Sequence, residues 1–95
     1  MIEKINKFKL VIPQMWENKL HMKLVNINGH GYYDFNGEYY CFSILNFKNG
    51  PFVVIETAEN EEEARLGHFE DSWLYSADME ISKMLSLMEN DIRNG

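Results

Sequence analysis

The side chains here that could do chemistry are one cysteine, three histidines, fifteen carboxylates and five tyrosines. Cys41 sits between Tyr40 and Phe42. A cysteine nucleophile needs an exposed position and a base. No sequence neighbour supplies a base, and free cysteine is among the most buried residue types, so Cys41 reads as an inert core thiol. His21, His30 and His68 share no ligand spacing. There is no His-Glu-x-x-His and no cysteine pair. His68 with Glu70 and Asp71 is the one grouping that could approach a metal. A histidine just behind a helix stop ordinarily serves the last carbonyls and the dipole. Neither a metal nor a cofactor is therefore expected.

Acid–base catalysis needs a carboxyl raised in an apolar pocket. Glu38 and Glu56 alone have apolar flanks, and both read as solvated strand ends. Gly29-His30-Gly31 lacks the third glycine and the Lys-Ser/Thr of a phosphate loop, and reads as a turn. No residue is assigned a catalytic role, and the chain is not expected to be an enzyme.

One stretch remains as a candidate site: Glu61, Glu62, Glu63, Glu70 and Asp71, followed by Trp73 and Tyr75. Trp and Tyr are favoured anchors of protein interfaces, and acids around them steer a basic partner. The expected function is a small protein-interaction module, of inhibitor, immunity or regulatory-adaptor type. It would bind a protein partner, a basic one being the better match in charge, through this acidic, aromatic half. Two alternatives stand beside it. One is a small-molecule binder or small enzyme with a pocket lined by Tyr32, Tyr33, Tyr39 or Tyr40. The other is a structural homodimer.

Charge narrows the partners. Residues 1–55 hold six Lys against four acids, whereas residues 56–95 hold three cations against eleven acids. A chain of net charge −6 lacks the basic footprint that nucleic acid demands and is repelled by anionic membranes. The apolar run near the N-terminus, Leu10 to Ile12, is too short for a signal peptide or a membrane span. With one cysteine, no intramolecular disulfide can form. A cytoplasmic location is expected.

The elements that must position these residues are organised around Tyr32 to Thr57. Asn36-Gly37 and Asn49-Gly50 punctuate three runs rich in aromatic and β-branched residues, the signature of hairpins. The expected fold class is α+β, a single domain over 1–95 with an antiparallel three-stranded meander at about 32–57. With each Asn-Gly central in its turn, Phe35 faces Glu38, Tyr33 faces Tyr40, Phe47 faces Phe52, Leu45 faces Val54 and Ile44 faces Ile55. Alternation puts Tyr33, Phe35, Tyr40, Phe42, Ile44, Val53 and Ile55 on one face. Tyr39, Cys41, Leu45, Phe47, Phe52 and Val54 fall on the other. Neither face is polar, so both need cover, from helices or from a second copy.

Upstream, Ile2, Ile5, Phe8, Ile12, Trp16 and Leu20 recur at helix spacing. Pro13 breaks the pattern, which predicts two helical pieces at 2–10 and 13–24. The rival reading alternates Phe8, Leu10 and Ile12 along a strand. Asn26 to Gly31 reads as a turn. Downstream, Asn60 with Glu63 predicts a capped helix over 61–66 that Gly67 stops. His68 to Ala77 reads as a loop or short extended segment. Asp78 is expected to cap a final helix at about 79–93, with Ile81, Met84, Leu85, Met88 and Ile92 as its apolar stripe.

Overall fold

A computed structural model describes the backbone of residues 2–94 and the side chains of 3–94. The packing of Ile2 and the closing Gly95 fall outside that range. The class is α+β: a helix, a five-stranded antiparallel sheet and a C-terminal helix.

The N-terminal helix α1, Ile2–Asn18, is unbroken and carries Pro13 inside it. The expected break at Pro13 is thus a correction, as is the strand alternative for residues 8–12. An interior proline costs about 3 kcal/mol. Phe8, Ile12 and Trp16 are each fully buried, with Met15 close behind. Each large buried side chain is worth about 1.5–3 kcal/mol, so the apolar stripe outweighs the proline. The helix also ends six residues sooner than expected. His21 takes a left-handed φ of 56°, and the Met22 N–H donates back to the Trp16 carbonyl at 2.9 Å.

Five strands follow, against the three expected: β1 Lys23–Ile27, β2 His30–Phe35, β3 Glu38–Phe47, β4 Gly50–Ala58 and β5 Asp71–Ser76. They pair in sequence order, all antiparallel. The first extra strand, β1, takes the end of the expected second helical piece and the start of the segment read as a turn. Asn28 and Gly29, with φ of 53° and 84°, make an Asn-Gly hairpin of the kind read at Asn36-Gly37. Ile27 therefore pairs with His30. The second, β5, lies where a loop or short extended segment was expected.

The register at Asn36-Gly37 is as expected, with Phe35 opposite Glu38 and Tyr33 opposite Tyr40. At the next turn it is shifted by two. Phe47 pairs with Gly50, Leu45 with Phe52 and Ile44 with Val53. Here the positive φ belongs to Gly50 alone, at 108°, not to Lys48 or Asn49. Lys48 and Asn49 make the turn, and the positive φ falls on the glycine that follows them, where a missing Cβ costs nothing. A shift of two preserves the face of every side chain, so both expected faces stand.

The short helix α2, Glu61–Leu66, has the expected Asn60 cap and a left-handed Gly67 stop. The last helix, α3, is Ile81–Asn94, starting two residues late. Asp78 does not cap it. Its own N–H donates to Ser76 Oγ, and the Glu80 carbonyl accepts the first helical bond, from Met84. Of the expected stripe, Met84, Met88 and Ile92 are buried, while Ile81 and Leu85 are half-buried.

The two faces of the sheet fare differently. The inner face carries Tyr33, Tyr40, Val53, Ile55, Trp73 and Tyr75 and packs with residues of α1 and α3 in the main core. The outer face is covered only where α2 crosses it. There Ala64 packs with Ile27, Tyr32 and Ala58 in a second, smaller core.

Candidate functional site

The seven sequence-predicted site residues do not share one surface. Glu61 and Glu62 are exposed on α2, above the outer face, and Glu63 is half-buried beside them. They occupy the first turn of the helix, where carboxylates complement its dipole. Glu61 pairs with Arg65 across one turn at 3.5 Å, and Glu63 contacts His68 Nδ1 at 3.1 Å. The group is a solvated, internally satisfied helix start.

Trp73 and Tyr75 point the other way. Trp73 pairs with Ile55 across the strands and stacks on Tyr40, with ring centroids 6.4 Å apart at 16°. It is half-buried within the main core. Tyr75 is buried, and its hydroxyl donates to Asp91 Oδ2 on α3 at 2.5 Å. Burial and the Asp91 carboxylate both push this phenol above its ordinary value. The aromatics therefore clasp β5 to the inner core.

Glu70 and Asp71 lie at the start of β5, both exposed. The Glu70 N–H donates to the Thr57 carbonyl at 2.8 Å, which fixes the chain as it enters β5. The neighbouring Glu38 carboxyl raises the Glu70 carboxyl above its usual range. Among the described residues, no three His, Cys, Asp or Glu are placed to hold a metal ion.

The four tyrosines of the pocket reading lie on two faces. Tyr33 and Tyr40 belong to the inner core, and Tyr32 and Tyr39 to the cluster under α2. The Tyr32 hydroxyl is spent on the Ala64 carbonyl, at 3.3 Å. Cys41 is half-buried in that same cluster. Burial, with Glu56 nearby, pushes its thiol up to about 11, so at neutral pH it is almost wholly protonated and a poor nucleophile.

What sequence reasoning did not single out as a site is the uncovered half of the outer face. Leu45, Phe47 and Leu74 are 45%, 48% and 54% exposed. Phe52 is half-buried between them. Leu45 lies opposite Phe52, and Leu74 lies opposite Val54. Phe47 meets Phe52 edge-on, with centroids 5.4 Å apart. The patch is thus one contiguous apolar area across three strands. Its polar members on that face are serines, Ser43, Ser72 and Ser76, and its border toward α2 is Glu56. The signal was present in the sequence as the second apolar face. Which helix would lie over that face was not.

No helix among the described residues is long and apolar enough to cross a membrane. The chain matches no protein-family model, no curated protein and no solved structure.

Proposed function

We propose that this chain is a protein-interaction module whose contact surface is the uncovered half of the outer sheet face. The observation that carries the reading is the contiguous patch of Leu45, Phe47, Phe52 and Leu74. Single exposed apolar residues are ordinary, but contiguous ones on a rigid sheet mark a contact surface. Aromatic anchors in such a patch supply most of the binding energy. The partner offers an apolar segment to Leu45, Phe47 and Leu74 and carries positive charge beside it. Glu56 stands at the border, and the acids of α2 lie beyond. These acids act at a distance, steering the approach and weakening in salt. Trp73 and Tyr75 hold the platform rather than touch the partner.

A photo-cross-linking side chain at position 47 tests this in cells of the source organism. The expected result is an adduct with a distinct protein, lost in Leu45→Ser and weakened by salt. An adduct formed equally from position 62, or none from position 47, would overturn the assignment of the surface.

A further inference from the structure

The sheet has two edges, and they differ. β1 is five residues long and begins with the exposed Lys23, a charge that discourages pairing with another chain. β5 has six residues, Asp-Ser-Trp-Leu-Tyr-Ser, with no Lys, no Pro and one charge, at its first position. Only the Ser76 carbonyl, which accepts from Met79 N–H, has a main-chain partner outside β4 among the described residues. The outer row of β5 main-chain groups is therefore free.

The strand also has a symmetry. Ser72-Trp73-Leu74-Tyr75-Ser76 reads alike in both directions: serine, aromatic, leucine, aromatic, serine. Two antiparallel copies centred on Leu74 would set Leu74 opposite Leu74, Ser72 opposite Ser76 and Trp73 opposite Tyr75. Residues directly opposite share a face. Ser72, Leu74 and Ser76 lie on the outer face, because they pair with Glu56, Val54 and Phe52. Trp73 and Tyr75 lie on the inner one. Every opposed pair is thus chemically like and uncharged. An isologous contact requires such a self-complementary surface.

We infer that a second copy of this chain pairs with the free edge of β5, antiparallel about a two-fold axis at Leu74, to form one continuous ten-stranded sheet. The pairing also joins the two exposed patches edge to edge through Leu74. The inference goes beyond the interaction reading and does not depend on what covers the open face. Acids tune it: Asp71 of one copy comes toward Ala77 and Asp78 of the other, and each copy carries net charge −6. Association should therefore strengthen as salt rises, because like charges are screened. A steered basic partner shows the opposite dependence.

Sedimentation of the purified chain at low and high salt is the first measurement. A dimer favoured by salt is expected, and a monomer at millimolar concentration overturns the inference. Register is tested by mild oxidation of cysteine variants. Opposed residues lie about 4.5–5.5 Å apart between Cα atoms, within disulfide reach. Leu74→Cys should cross-link to itself, and Ser72→Cys should cross-link to Ser76→Cys in a mixture. Cross-linking through Phe47→Cys in place of Leu74→Cys would mean a face-to-face dimer and would also overturn it. Leu74→Lys should sediment as a monomer with unchanged circular dichroism, while Phe47→Lys should remain a dimer. If the dimer stands while position 47 captures no other protein, the interaction reading fails and the edge pairing does not.

Discussion

The inner and outer faces of this sheet are built from neighbouring residues of the same strands, and both are apolar. The inner face is closed: Tyr40, Val53 and Ile55 are at most 1% exposed beneath α1 and α3. The outer face is closed over Ile27, Tyr32 and Ala58 beneath α2, and Val54 is buried at the margin of the open patch. The difference lies in the cover. α1 and α3 have seventeen and fourteen residues, whereas α2 has six and spans about 9 Å. Alternation in a strand decides which residues share a face. Whether that face is dry depends on the length of the element laid over it. The proposed contact surface is the face whose cover runs short.

The largest expected effect is on the inner face. Trp16 is fully buried, and Tyr33, Tyr40 and Phe42 surround it edge-on at 5.3–6.2 Å. Trp16→Ala should cost about 3–5 kcal/mol, a large share of a small domain's stability. Urea unfolding should show the loss in its midpoint. A midpoint near that of the unaltered chain would mean that α1 does not close this face.

Next comes the clasp between β5 and α3. Tyr75→Phe leaves the Asp91 carboxylate without its donor, at a cost of about 1.5–3 kcal/mol. The same pair sets a pH dependence. The folded phenol is raised above its ordinary value, so its contribution is intact below the unfolded tyrosine pKa near 10. It is lost as pH rises beyond that, because only the unfolded state ionises easily. Phenolate absorbance should show this tyrosine ionising well after an exposed tyrosine would. If Tyr75→Phe leaves the alkaline stability curve unchanged, the clasp carries no weight.

A smaller effect is expected where α2 covers the outer face. Asn60 Oδ1 accepts from the Glu63 N–H at 2.9 Å, and Asn60→Ala should cost about 1 kcal/mol. Cys41 reports the opening, since it packs in the cluster beneath α2. Its alkylation should be slow at neutral pH and should rise toward about 11. The variant should react faster at every pH. Equal rates would show that Cys41 is reached by a path that ignores α2.

Much of this was legible in the sequence, for local reasons. Asn36-Gly37 and the Asn60–Glu63 cap act within a few residues, and each specified its element. The failures have a common origin in tertiary packing. Pro13 argued for a break, but Phe8, Ile12 and Trp16 have a core to enter on both sides of it. β5 has only six residues and takes its place by pairing with β4, which no short window can register. Asn28-Gly29 was a different kind of miss. It carried the same signal as the other hairpins, hidden by a short and mixed β1. The residues of the expected site do not share a surface: Trp73 and Glu62 lie close in sequence, yet a strand and a helix turn them to opposite faces.

The smallest expected stability effect is the sharpest test of the comparison. Phe47 is a large aromatic on a sheet, as Phe42 is, but Phe42 faces α1 and touches Trp16, while Phe47 touches Phe52 at an open face. If the uncovered half of the outer face contributes little to folding, Phe47→Ser should shift stability by only about 0.5 kcal/mol, the range of ordinary surface changes. It should nevertheless abolish cross-linking of a partner from position 45, because a desolvated aromatic anchor contributes far more to binding than to the free fold. The paired substitution Phe42→Ser should do the reverse, lowering stability severalfold more while leaving the patch itself intact. Should Phe47→Ser destabilise the isolated chain as much as Phe42→Ser does, the outer face would already be covered in solution. Sedimentation of the same variant would then show whether a lost dimer is the reason. Two phenylalanines of one strand, five residues apart and on opposite faces, thus separate what the sheet needs in order to fold from what the proposed contact needs.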